Sequence, residues 1–168
     1  MKLDMLTRSR TDSPATRPDE RKLVRFTVAD VRCAIDIMHV REILQPGDLT
    51  SLPGAGGAVI GVANHRNAAI PVVDLRQRLG LPERREGRGR WIVAASRRSL
   101  FILLVDTVEG VSSVNRKQLR DRASLGDTTD FTWALSVYGT DDGLLFELDP
   151  DAIHTASGRA DGEPREER

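Results

Sequence analysis

Sulfur and aromatic rings are scarce in this chain. Its one cysteine, Cys33, excludes an intramolecular disulfide and a cysteine-built metal cluster, and fits a reducing compartment. Cys33 lies in an alternating apolar run, where a thiol serves as a small hydrophobic core residue. Aromatic residues make up 4% of the chain, too few for a base-stacking platform. Neither sign of charge dominates. The 25 basic and 25 acidic residues cancel, which removes the bulk electrostatic argument for a nucleic-acid or anionic-membrane partner. The basic set is 22 arginines and 3 lysines scattered among acids, a compositional bias and not a phosphate-binding patch. No run approaches the roughly twenty apolar residues of a membrane span. The opening segment MKLDMLTRSRTDSPATRPDERK lacks the apolar centre of a signal peptide. These absences predict a cytoplasmic protein with no direct membrane insertion.

Catalytic patterns are equally thin. His39, His65 and His154 are far apart and lack metal-ligand spacing, so neither a metal nor a cofactor is expected. No G-x-S-x-G nucleophile elbow occurs. The glycine-rich PGAGG at 53–57 leads into a strand and has no following lysine, unlike a phosphate-cradling loop. Asp74 and Asp149 read as helix caps, and Asp106 and Glu109 as strand-end turn residues. No catalytic residue is assigned.

Period-2 alternation is what the chain does have. Val24, Phe26 and Val28 alternate with Arg25 and Thr27, and after Ala29-Asp30 the alternation resumes at Val31, Cys33 and Ile35, a hairpin. Ile37, Val40, Ile43 and Leu44 fall at helical spacing, which predicts a short helix over 37–44 stopped by Pro46-Gly47. Residues 58–64 and 69–73 form a second hairpin, with Asp74 capping a brief helix that ends at Gly80. The charged PERREGRGR is a loop between two halves. Residues 91–95 and 100–105 pair next, then a short strand around Val108 and Val111, a helical turn at NRKQL, and strands at 132–138 and LLFEL. Asp149-Pro150 opens a last helix. Short strands with turns every eight to twelve residues indicate a mostly β sandwich or barrel. Residues 1–21 and 157–168 are too polar to offset ordering entropy and are expected to be disordered tails around a folded region at 22–156.

Five segments carry a resemblance: AIDIMHVREIL, LTSLP, GVANHRNAAIPVVDLRQRLGL, LLVDTVEGV and LFELDPDAI, in that order. Together they resemble the CheW-like domain family of bacterial chemosensory systems. The resemblance implies two small intertwined five-stranded, SH3-like β-barrels with a few short helices. It also implies a non-enzymatic role, that of joining the cytoplasmic tip of a methyl-accepting chemoreceptor to the regulatory domain of a CheA-type histidine kinase in receptor arrays. The stand-alone chain, with no kinase or receiver domain, resembles the adaptor branch of the family.

Residue by residue, the resemblance places Val40 and Glu42 on a receptor-facing helix. It places Gly61, Asn64, His65, Arg66 and Asn67 in the family's docking hairpin, with Glu42 able to pair with Arg66. Val108 and Val111 match apolar positions lining the receptor groove. His65 stands where leucine is usual and Asn67 where glycine is usual, although asparagine tolerates the positive φ of such a turn. Ile102 and Ala134 replace expected glycines, changes expected near partner surfaces. Two alternatives stay open: a degenerate module that binds only the kinase, and a small-molecule enzyme using His65 beside a carboxylate.

Overall fold

The computed structural model describes residues 19–55, 57–126 and 131–155. Eleven strands dominate them: β1 (Glu20–Val28), β2 (Val31–Asp36), β3 (Val40–Leu44), β4 (Val59–His65), β5 (Ala68–Asp74), β6 (Arg90–Ala95), β7 (Leu100–Val105), β8 (Thr107–Asn115), β9 (Leu119–Arg120), β10 (Ala134–Thr140) and β11 (Gly143–Leu148). Two short α-helices, α1 (Leu75–Arg78) and α2 (Pro150–Thr155), follow β5 and β11. The first strand includes Glu20 and Arg21, ahead of the expected boundary at residue 22. Asp19 precedes it as a turn residue, and the remainder of both expected tails lies outside the described residues.

The strands form a six-stranded sheet, β8-β1-β2-β11-β10-β9, and a five-stranded sheet, β3-β6-β7-β5-β4. The chain starts in the first sheet, builds the whole second sheet, and returns to finish the first. This is the intertwining that the mostly β, two-barrel expectation requires. The sixth strand is the two-residue β9, which pairs with β10 through Arg120 and Leu119.

Three apolar clusters explain why the sheets hold. One lies between them and joins Phe26, Cys33 and Ile35 of the first sheet to Ile92, Phe101 and Leu103 of the second, with Trp133 and Ile153. A second, with Trp91, Val93, Ile102, Val72 and Ile70, lies on the other face of the five-stranded sheet. A third, with Leu23, Ala34, Val114, Tyr138 and Leu145, belongs to the six-stranded sheet. Strands β6 and β7 therefore bury both faces, which is why WIVAA and FILLV read as continuous apolar runs. Cys33 is fully buried, and that burial pushes its thiol up to about 12, as suits a core side chain.

Local chemistry sets several element ends. Asp74 caps α1 by accepting from the Arg76 N–H at 2.9 Å, and Gly80 closes it with a positive φ of 67°. The Asp149 carboxylate accepts from the Asp151 N–H at 3.0 Å to open α2. Asn115 and Gln118 make a reciprocal capping box on the helical turn expected at NRKQL. Pro71 sits on a strand with neighbours on both sides, but pairing with β7 starts only at Val72, so its missing N–H is not needed there.

One element differs from expectation. Residues 37–44 are not a helix: Ile37–His39 make a single 3-10 turn and Val40–Leu44 are strand β3, an edge of the five-stranded sheet. The β-branched Val40 and Ile43 favour the strand. The register against β6 shifts between Val40 and Glu42, a bulge that adds one residue at the start of the strand. Ile102 and Ala134 are also not on the surface. Both are buried in the clusters, so these departures from the family pattern are core substitutions.

Candidate functional site

The turn between β4 and β5 is built from His65, Arg66, Asn67 and Ala68, with His65 and Ala68 as the last strand pair. Arg66 and Asn67 have φ of 51° and 64°, the two positive values of a type I′ hairpin turn, whose twist matches the strands it joins. Asparagine accepts this region readily. A long side chain such as arginine does so at a cost of about 1–2 kcal/mol. The hairpin thus holds a strained arginine at its tip.

Beside it runs β3. Inward parity leaves Val40, Glu42 and Leu44 half-buried while Arg41 and Ile43 are exposed. Glu42 reaches toward the tip, and its Oε2 accepts a hydrogen bond from Arg66 Nη2 at 3.4 Å. His65 Nε2 lies 3.4 Å from the same oxygen. The expected Glu42–Arg66 pair is therefore present, with Glu42 on a strand and not on a helix. The arginine side chain is 80% exposed and His65 only 14%. Arg41, Glu42, His65, Arg66, Ala68, Val93 and Leu100 line an open depression of about 370 Å³. None of these lining side chains carries a hydroxyl or a thiol.

The other predicted residues take different positions. Asn64 and Asn67 are exposed beside the turn. Gly61 is buried, and a Cβ there would collide with the Thr50 carbonyl. Thr50 and Val62 exchange backbone hydrogen bonds of 2.8 and 2.9 Å at this point, so Gly61 permits a close backbone approach that steadies β4. Val40 packs against the inter-sheet core. Val108 and Val111 lie on β8 of the other sheet, Val108 half-buried against that core and Val111 56% exposed. The structure thus brings Glu42, His65 and Arg66 together and leaves the two valines on a separate sheet edge.

Sequence reading missed three features. Arg41 enters the depression, with Nη1 donating to the Met38 carbonyl at 3.0 Å; recognising β3 as a strand would have pointed it outward. Met38, on the 3-10 turn before β3, is 76% exposed. Finally, ionic clusters brace the sheets. Asp106 accepts from Arg76 and Arg84 at 2.6 Å each and from the Ala29 N–H at 2.6 Å. Burial pushes its carboxyl up, but the bonds from Arg76, Ala29 and Arg84 outweigh this and bring it down to about 2. Glu147, fully buried, meets Arg21 at 2.6 Å and accepts from the Tyr138 hydroxyl at 3.0 Å. Burial is the largest influence on Glu147 and raises it, against the pull of Arg21 and Tyr138. Its inward parity in LLFEL was the available signal.

Among the described residues no group of three or more His, Cys, Asp or Glu side chains is placed to hold a metal ion. No helix among them is long and apolar enough to cross a membrane. Two interleaved β-sheets presenting a charged turn define a small double-sheet β-domain. The chain belongs to the CheW-like domain family, whose model matches residues 22–157. It is 29% identical over 135 residues to a probable chemotaxis protein CheW of Rhizobium etli, covering 80% of this chain and 87% of that protein. It is 33% identical over 96 residues to protein FrzA of Myxococcus xanthus, covering 56% and 60%. In structure it is similar to the scaffolding protein TtCheW of Thermoanaerobacter tengcongensis, with a TM-score of 0.70, 25% identity, and coverage of 77% and 88%.

Proposed function

We propose that this chain is a non-enzymatic coupling scaffold of a chemosensory system. It links the cytoplasmic tip of a methyl-accepting chemoreceptor to the regulatory domain of a CheA-type histidine kinase. Control of the kinase follows from assembly at the receptor array, in the cytoplasm, with no bond made or broken by this protein. The turn Asn64 to Asn67 and Glu42 form the receptor-facing element, and Val111, with Val108 behind it, offers an apolar contact on β8.

The observation that carries this reading is the tip itself. The fold holds Arg66 at positive φ with its guanidinium 80% exposed, above a carboxylate only 3.4 Å away. Strain kept at an exposed polar position points to a functional element, and an exposed pair of this kind contributes only about 0–1 kcal/mol to the fold. A His65-based enzyme has the carboxylate it needs in Glu42, but no lining side chain carries a hydroxyl or thiol and the depression lies open to solvent, so the scaffold reading is favoured.

Pull-down of the purified chain with a soluble receptor-tip fragment and with the kinase regulatory domain tests the proposal. Capture of both is expected. Capture of the kinase domain alone would make the chain a kinase-only module, and capture of neither would end the scaffold reading.

A further inference from the structure

His65 is the residue of the turn that coupling alone does not explain. Its imidazole is 14% exposed and faces the depression, not the solvent around the tip. Glu42 Oε2 lies 3.4 Å from His65 Nε2 and 3.4 Å from Arg66 Nη2, so one carboxylate oxygen sits between two nitrogen groups. With a neutral imidazole, the arginine is the only cation of the two. Histidine is the side chain whose charge ordinarily changes between about pH 5 and 8. Once the imidazole carries a proton, two cations compete for the single oxygen, Glu42 Oε2, that both approach.

The surroundings favour the histidine in that competition. The charged groups around it are Glu42 and Arg41 from β3 and Arg66 from the turn; β5, β6 and β7 contribute Ala68, Val93 and Leu100. Arg41 Nη1 is engaged by the Met38 carbonyl. His65 is sheltered, where a charge-assisted contact is less screened, while Arg66 stands in solvent. Protonation also takes the Glu42–His65–Arg66 set from zero net charge to +1, which repels the guanidinium.

We propose that His65 is a proton-operated release for Arg66. When protonated it takes the Glu42 carboxylate, and the freed guanidinium pairs with an acidic side chain of the docked partner, so that acidification strengthens docking. This rests on the reading that the turn docks a chemoreceptor tip.

The test is the affinity of a soluble receptor-tip fragment for the purified full chain at pH 6 and pH 8, for the wild type, His65→Leu and His65→Lys. Each protein's folding is checked by thermal melt, with His65→Asn replacing His65→Leu, or His65→Arg replacing His65→Lys, where either fails to fold. Using the same fragment throughout cancels its own titration. The wild type is expected to bind about two- to fivefold more tightly at pH 6 relative to the His65→Leu ratio, as suits an exposed pair. The His65→Lys protein, with its fixed charge, is expected to lose that extra pH dependence. Equal pH ratios for wild type and His65→Leu would overturn the switch while leaving the docking reading intact. Absence of binding by every protein at both pH values would overturn the docking reading and the switch with it.

Discussion

Arginine meets carboxylate at two contrasting places in this domain. Around Asp106, the two guanidiniums and the carboxylate are each about 15–16% exposed, with contacts of 2.6 Å. At the hairpin tip, Glu42 and Arg66 meet at 3.4 Å and the arginine is 80% exposed. Asp106 receives Arg76 from α1, Arg84 from the 81–89 loop and the Ala29 N–H from the β1–β2 turn, so it ties both sheets together. Glu42 and Arg66 join only β3 to the tip of its own sheet. The same chemistry serves as a brace where the groups are mostly buried and as a contact point where they are exposed. Burial, contact length and the number of elements joined separate the two.

Substitutions at the two places should differ sharply. Asp106→Ala leaves Arg76 and Arg84 facing each other without a counter-charge, and should cost about 2–4 kcal/mol in denaturant unfolding. A loss below about 1 kcal/mol would deny Asp106 its bracing role. Acid should act on the same site. The Asp106 carboxyl lies below its ordinary 3.8, at about 2. Its contribution is therefore fully present above pH 3.8 and fades as pH falls through about 2. Screening at this partly exposed site reduces that contribution to about 1–2 kcal/mol. Wild-type stability followed between about pH 5 and 2 should show a larger acid-dependent loss than that of Asp106→Asn, which keeps the share due to Asp36, another carboxyl held below its ordinary value.

The tip should respond in the opposite sense. Arg66→Gly relieves the positive φ and adds freedom to the unfolded chain, for a net gain of about 0.5 kcal/mol. A loss of more than about 1 kcal/mol in the same unfolding experiment would make Arg66 a brace as well. The smallest stability effect belongs to Arg66→Glu, expected within about 0.5 kcal/mol of wild type.

Much of this was legible in the sequence because it is local. The hairpins at 24–36, 58–73 and 91–105, the Asp74 and Asp149 caps and the asparagine-bearing turn each follow from residues a few positions apart. Strand β3 was misread for a physical reason. Its bulge after Val40 and the 3-10 turn before it put Ile37, Val40, Ile43 and Leu44 at spacings that imitate a helix. The Glu42–Arg66 pair was foreseen through the family pattern, yet the placement of Glu42 on a helix was not correct. The Asp106 brace was invisible because Arg76 and Arg84 lie 30 and 22 residues from it, and no periodicity encodes such a meeting. The resemblance places Gly61 in the docking hairpin, and its close approach to Thr50 rests on a bridge visible only in three dimensions.

The contrast between brace and contact point is tested most directly by titrating a receptor-tip fragment into Arg66→Glu, beside a thermal melt of the same protein. Wild-type folding with at least about a tenfold loss of affinity is the predicted result. Wild-type affinity, or a collapsed melt, would contradict it.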